Sequence, residues 1–270
     1  MKPSACLLAI ASCGCIAVHG DVIVSDNFSD GNRTQDPAWY ISAGSFAVGS
    51  GSAFNNNSTL NQFFTTSFTA TDIADGTGLR LSLAYRPDGA NLNSLRVGIY
   101  SGVAPSADGW AQFSAGQPTR DWLGYYANIG LTNQSATTIV FNNNIVDDHA
   151  FFSGTILGTP GPGTNVAGVL SFRSVVFEMS RAGTDMVLDV YEGQDLDNLT
   201  LIASATHAGG SFSGFNNIAL FQTTGNNLNG NIRYDDITLS TFVVPEPSTL
   251  MLLIAGATLL GLRRKIPAHP

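Results

Sequence analysis

The chain has 270 residues, of which 44% are hydrophobic and 12% charged, with a formal net charge of −8 at pH 7. Residues 21–243 contain no lysine and have eight arginines against 19 acidic residues, a net charge of −11. Because such a surface repels phosphate backbones, nucleic acid is not an expected partner. All three cysteines precede residue 16, so residues 21–243 offer no disulfide, thiolate metal site or cysteine nucleophile.

The N-terminus has the pattern of a removable secretion signal. Lys2 supplies a positive charge, an apolar run covers residues 5–18, and small or aliphatic residues precede Asp21. The run is shorter than the about 20 residues that a membrane-spanning helix needs. We therefore predict a signal peptide over residues 1–20. The alternatives are a buried N-terminal segment and a lipoprotein signal, because the residues around Cys13 resemble a lipobox.

Residues 21–243 predict one all-β domain. Apolar and mostly polar residues alternate along residues 79–85, which is typical of a strand with one buried face. Eight further β-branched and aromatic runs are separated by Gly, Asn, Asp or Pro. They cover residues 62–68, 95–100, 138–141, 172–179, 186–191, 199–205, 217–221 and 232–239. We predict an antiparallel β-sandwich of the jelly-roll type, with residues 121–129 ambiguous between a short helix and a loop.

Three aspartates are candidate ligands of a metal ion. Asp235 shares its strand face with two aliphatic residues, so its carboxylate is predicted to point toward the core and to need a partner. Calcium, which prefers oxygen ligands, is one candidate, held by Asp235 together with Asp26 or Asp30. The alternative partner is an arginine such as Arg33, or backbone amides.

Seven aromatic residues are candidates for stacking on a sugar ring, although core packing is the expected role of most. They are Trp39, Tyr40, Trp110, Phe113, Trp122, Tyr125 and Tyr126. Trp110 and Trp122 lie among Gly, Pro and Asp residues, which is typical of surface loops. We therefore predict Trp110 and Trp122 as the ligand-binding residues.

We predict no catalytic residues and no enzymatic activity. Only two glutamates and two histidines lie in residues 21–243. The G-x-S-x-G and H-E-x-x-H motifs and a phosphate-binding glycine loop are absent from the sequence. The cluster at residues 147–149 is interpreted as a solvated turn, with metal contact as the alternative. A hydrolase that uses aspartates is the alternative activity.

The C-terminus combines a proline motif, an apolar segment and a basic cluster. The motif blocks continuation of helix or sheet, so the domain is predicted to end there. The apolar segment 249–262 would form a short transmembrane helix of about 21 Å, against a hydrocarbon core of about 30 Å. The basic cluster would snorkel and remain cytoplasmic. The residues of this candidate sorting motif are Pro245, Glu246, Pro247, Arg263, Arg264 and Lys265.

This order of features resembles the PEP-CTERM sorting signal of exopolysaccharide-producing Gram-negative bacteria, apart from a short extension at 266–270. The resemblance implies recognition and processing of residues 244–270 by an integral-membrane exosortase. An ordinary stop-transfer anchor is the alternative, and a GPI signal fits less well because its tail usually lacks a basic cluster.

The two ends of the middle domain carry a second resemblance. The stretches DNFSDGNR at 26–33, DPAWY at 36–40 and YDDITL at 234–239 resemble concanavalin A-like, laminin-G-like domains. The resemblance implies a lectin-like sandwich, and related carbohydrate-binding modules hold calcium near their terminal strands. The Glu-x-Asp-x-x-Glu arrangement of concanavalin A-like glycosidases is absent. The expected function is that of an exported cell-surface or matrix protein with polysaccharide as a candidate ligand, and a structural adhesin is the alternative.

Overall fold

The computed structural model describes residues 18–41, 46–55, 62–87, 92–108, 122–132, 136–143, 154–164, 166, 171–210, 212–224 and 232–244. Residues 1–17, Trp110, Phe113, residues 147–149 and the whole candidate sorting motif from Pro245 onward lie outside these ranges. Among the residues that are described, no helix has the length and hydrophobicity needed to cross a membrane.

The regular secondary structure of the described residues consists of β-strands. The strands are β1 (Val18–Asp26), β2 (Trp39–Ile41), β3 (Phe46–Gly49), β4 (Ser52–Asn55), β5 (Gln62–Thr71), β6 (Thr77–Pro87), β7 (Leu92–Ser101), β8 (Leu123–Gly130), β9 (Thr137–Asn143), β10 (Thr155–Gly161), β11 (Arg173–Ala182), β12 (Asp185–Gly193), β13 (Leu199–His207), β14 (Phe215–Thr224) and β15 (Ile232–Val243). Each of the nine predicted runs falls on one of these strands, which confirms the all-β prediction.

The strands form two antiparallel sheets. In the eight-stranded sheet the order is β13-β12-β11-β6-β15-β4-β3, and β1 also pairs with β15. In the seven-stranded sheet the order is β10-β9-β8-β7-β14-β5-β2. Strand β15 pairs with β6 along one edge, and on the other edge with β4 first and with β1 afterwards. The two ends of the described chain are therefore neighbours in one sheet.

The inner faces of the two sheets pack together as the core of a β-sandwich. Residues 79–85 of β6 present their predicted apolar face to this core, where Leu81 of the eight-stranded sheet and Val97 of the seven-stranded sheet are both fully buried. The Phe64 ring of the seven-stranded sheet stacks on Trp39 at 4.5 Å and lies 6.1 Å from the ring of Tyr234 in the other sheet. The predicted antiparallel sandwich is confirmed.

Strand β8 occupies the segment whose structure was ambiguous in the sequence. Tyr125, Ala127 and Ile129 are fully buried on the inner face. Tyr126, which points to the opposite face, is 5% exposed and also buried. Because both faces of β8 are covered, the alternation that marks a half-exposed strand is missing from its sequence.

The sandwich is closed on one side by close contact between edge strands β10 and β13. Gly158 and Gly161 of β10 lie directly against the backbone of β13. A Cβ atom on Gly158 would lie 2.8 Å from the carbonyl oxygen of Ser204, and one on Gly161 would collide with the carbonyl oxygen of Ile202. The absence of side chains at these two positions lets the two edges meet.

We predict that Gly161→Ala destabilises the fold, because Ile202 cannot move without disturbing the β12–β13 ladder. Overpacking of this kind costs about 1–3 kcal/mol in the free energy of unfolding. Denaturant unfolding would measure it. Gly49→Ala in edge strand β3 is the matched control, since its Cβ would make an ordinary 3.5 Å contact with the Phe54 ring. Equal stability of the two variants would contradict the proposed closure.

Candidate functional site

The outer face of the seven-stranded sheet carries a second, smaller apolar cluster. Strand alternation turns its members away from the main core, yet each is 5% exposed or less. We call this group the outer aromatic cluster. Its members are Phe63, Tyr100, Trp122, Tyr126, Val140, Ala219 and Phe221, with Tyr40 packed against them.

Glycines make room for the rings of this cluster. The ring of Tyr100 lies over Gly98 and Gly124, where Cβ atoms would lie 2.5 Å and 2.6 Å from its ring carbons. Trp122 packs 5.3 Å from Tyr100, and its indole N–H donates to the carbonyl of Val103 at 2.9 Å. Trp122 is 0% exposed and presents no ring face to a sugar, contrary to the sequence prediction. Trp122 is buried because it packs against Tyr100 and bonds to Val103, and the local composition does not reveal these contacts.

A groove of about 220 Å³ lies beside the cluster, across strands β7 to β10. Its walls combine polar side chains, one aromatic ring and aliphatic surface, and Ile156 at its rim is 58% exposed. The described residues that line the groove are Arg96, Tyr126, Asn128, Thr138, Val140, Gly154 and Ile156. Apart from Arg96 and Tyr126, these lining residues carry no titratable group.

Arg96 organises the polar side of the groove. Its Nε donates to Oδ1 of Asn128 at 3.1 Å, and its guanidinium carbon lies 5.4 Å from the centre of the Phe221 ring. Burial lowers the pKa of Arg96, while the hydroxyls of Tyr126 and Tyr100 act in the opposite direction. Burial also raises the pKa of Tyr126. At neutral pH the groove therefore holds a charged guanidinium beside protonated phenol groups, all of them hydrogen-bond donors.

Asn142 adds an acceptor on the same outward face of β9. Its side chain is fully buried, and its Nδ2 donates to the carbonyl of Trp122 at 2.9 Å. Among the buried side-chain atoms of the described residues, its Oδ1 has no hydrogen-bond partner. An unsatisfied buried acceptor costs about 1–3 kcal/mol, so a hydroxyl that reached it would be bound favourably. No sequence motif marked Arg96, Asn128 or Asn142.

The predicted calcium ligands lie where β15 changes partner from β4 to β1. Asp26 ends β1, and Asp235 precedes Asp236, whose φ of 46° marks the irregularity in the β15–β6 ladder. One carboxylate oxygen of Asp26 accepts the Phe28 N–H at 2.7 Å, and the other accepts the Trp39 indole N–H at 2.9 Å.

The other two predicted ligands are likewise bonded to nearby backbone. Asp30 accepts the N–H of Asn32, and Asp235 accepts the N–H of Asp236. Arg33, the alternative partner, instead forms a bidentate pair with Asp108, with its shorter bond 2.6 Å long. For Asp235 the structure therefore favours backbone amides, the second alternative, over an arginine.

Burial and mutual repulsion both act on the predicted calcium ligands. Burial raises the pKa of Asp26, opposed by the bonds from Phe28 and Trp39 and reinforced by Asp30. Burial also raises the pKa of Asp235, and repulsion from Asp236 and Asp26 adds to it. In the described residues, no three His, Cys, Asp or Glu side chains are arranged to hold a metal ion. A calcium ion held by Asp235 together with Asp26 or Asp30 stays a prediction from the sequence.

The C-terminus of the chain matches a known family model. Residues 243–265 match the PEP-CTERM protein-sorting motif. The chain carries a PEP-CTERM sorting motif. The match begins at Val243, the last residue of β15. A PEP-CTERM motif indicates export and membrane-anchored sorting in Gram-negative bacteria, as the sequence predicted. Curated protein sequences gave no match to the chain.

Solved structures show that the domain between the predicted signal and the PEP-CTERM motif has a lectin-like fold. The carbohydrate recognition domain of Emp46p, in a potassium-bound form, matches with a TM-score of 0.54 at 8% identity, covering 82% of this chain and 95% of that chain. The exoplasmic domain of VIP36, bound to Ca²⁺ and Man3GlcNAc, matches with 0.53 at 11%, covering 83% and 89%. The lectin of Bauhinia forficata with GalNAc matches with 0.50 at 8%, covering 84% and 100%. At these identities the likeness establishes the fold.

We predict that Asp235→Asn stabilises the protein at neutral pH. Because the pKa of Asp235 is raised in the folded state, its favourable contribution is present below the unfolded value of 3.8 and is lost as pH rises through the folded pKa. The asparagine stays neutral and its oxygen can still accept the Asp236 N–H. The gain in melting temperature over wild type is expected at neutral pH and should vanish in acid.

Thermal unfolding at several pH values, with and without calcium chloride, would measure this effect. Asp197→Asn, at an exposed turn, is the control and should change little. A melting temperature that calcium raises in the wild type but not in Asp235→Asn would establish the predicted calcium site.

Proposed function

We propose that this is an exported protein of the Gram-negative cell surface or extracellular matrix whose sandwich binds a polysaccharide without acting on it chemically. The PEP-CTERM motif supports the location. The groove on the outer face of the seven-stranded sheet supports the ligand class.

The lining of the groove carries the proposal. A sugar presents hydroxyl groups around its ring and apolar C–H surface on its faces. Arg96, Tyr126 and Thr138 offer donors to hydroxyl oxygens, and the aliphatic surface of Val140 and Ile156 suits the apolar face. Sites for small ligands typically combine such apolar walls with a few placed polar groups.

The solved neighbours support the same ligand class, since VIP36 and the Bauhinia forficata lectin were solved with bound sugars. Several solved neighbours also contain calcium or potassium, whereas VIP36 has been solved metal-free as well. A structural calcium ion at Asp235 with Asp26 or Asp30 stays a prediction, which the melting experiment with calcium chloride tests.

The structure gives no support to the alternative of a hydrolase that uses aspartates. Several described aspartates hold turns together: Asp72 accepts the N–H of Gly214, Asp75 that of Gly183, and Asp185 that of Gly209. These three carboxylates fix loop conformations, which is a structural role. A structural adhesin remains the other outcome of the binding experiment below.

We predict that Arg96→Gln weakens glycan binding. A glycan array with the signal-free protein would identify the best ligand, and titration calorimetry would give its Kd. Hydrogen bonds to a charged group contribute about 1.5–3 kcal/mol, so the Kd should rise about tenfold or more. Thr138→Trp, which fills the groove, should abolish binding.

Arg233→Gln is the matched control, because its guanidinium carbon also lies over a phenylalanine, 4.5 Å from the ring centre of Phe54, but on the other sheet. It should leave the Kd unchanged. Binding of no glycan would refute the polysaccharide proposal and favour the adhesin. Binding that survives both groove variants would place the site elsewhere.

We predict that the native protein lacks residues 1–20 and is processed near Pro245, Glu246 and Pro247 by an exosortase-type enzyme. Intact-mass analysis of protein isolated from the producing cells would locate both ends. A chain that begins at Cys13 with added lipid mass would instead establish the lipoprotein alternative. A full-length mass would contradict both the predicted signal peptide and the sorting proposal.

A further inference from the structure

The last strand holds the domain directly against the sorting motif. Val243 pairs with Thr77 of β6, and three residues earlier Ser240 pairs with Val22 of β1, which remains after the predicted removal of residues 1–20. The N–H of the next residue, Val244, donates to the carbonyl of Gly76 at 2.8 Å. Pro245 follows immediately. No linker therefore separates the sheet from the motif.

This attachment limits how far the domain can stand from a membrane. The predicted apolar segment begins at Thr249, five residues after Val244. Five residues span at most about 18 Å when fully extended. The headgroup layer takes up roughly 5–8 Å of that distance. The end of β15 must then lie within about 10–13 Å of the headgroups.

Hydrogen bonds join the turns around the end of β15 into one surface. The N–H of Gly76 donates to the carbonyl of Arg181 at 3.0 Å, and the N–H of Gly183 donates to Asp75 at 2.6 Å. The N–H of Gly209 donates to Asp185 at 3.0 Å. We call the turns at 72–76, 183–184 and 208–210 the tail-side end.

We propose that the tail-side end is the surface that faces the lipid bilayer while the tail is in place. This inference rests on the proposed membrane insertion of the tail. Strand β15 is twelve residues long, so at about 3.3 Å per residue the opposite end lies about 40 Å further from the membrane.

This orientation has a consequence for the groove. The strands of both sheets run between the tail-side end and the opposite end, so their faces stand upright on the membrane. The groove on the outer face of the seven-stranded sheet then opens sideways, toward polymer lying along the cell surface. Neither the bilayer nor the tail would block it.

Site-specific fluorescence quenching would test the orientation. Residues 21–270 contain no cysteine, so single cysteines can be labelled. Thr184→Cys marks the tail-side end, and Leu196→Cys, at a 51% exposed position, marks the opposite end. The signal-free full chain is reconstituted into phosphatidylcholine vesicles that contain a headgroup-quencher lipid. We expect the label at 184 to lose most of its fluorescence and the label at 196 to keep it.

Two controls make the result decisive. Ala208→Cys and Gln194→Cys repeat the comparison at second exposed positions of each end. A twelve-residue Gly/Ser insertion after Val244 adds about 20 Å of flexible reach and should relieve the quenching. Equal quenching at both ends, or quenching that the insertion leaves unchanged, would overturn the orientation. Failure of the wild-type chain to float with vesicles would instead overturn insertion of the tail.

Discussion

The fold depends on the pairing of β15 with three other strands. One edge of β15 is occupied throughout by β6, while the other is shared between β4 and β1. A shared edge needs a point where one partner stops and the next begins, and the chain bends there at Asp235 and Asp236. The carboxylate of Asp26, at the end of β1, then anchors the loop that carries Trp39. The pairing thus explains both the irregularity and the placement of the acidic residues.

The same strand connects the fold to the way the protein is sorted. Because β15 lies inside the eight-stranded sheet, its last residue is held in place by β6, and the PEP-CTERM motif starts there. While Val244 remains bonded to Gly76, the tail leaves the domain at a fixed point beside β6. Strand β15 leads into the sorting tail and belongs to the sandwich that carries the groove. In the proposed orientation, the direction of β15 relative to the membrane therefore determines which way the groove faces.

Much of the architecture could be predicted from local pattern. Residues 79–85 alternate with period two, and their apolar face is buried as expected. Strand β8 was not recognised because both of its faces are covered, and β10 was not because its exposed, glycine-containing sequence lacks an apolar stripe. The groove escaped prediction for a related reason: Arg96, Asn128 and Thr138 come from three strands that meet only through sheet order.

The sequence by itself determined the all-β class and the sorting tail, because alternation and the order of proline motif, apolar segment and basic cluster are properties of neighbouring residues. Only the tertiary structure decided that Trp122 is buried and that Asp235 is bonded to backbone. Whether a side chain is covered or paired depends on segments distant in the chain. The position of the groove relative to the tail likewise follows from strand order, which no local pattern encodes.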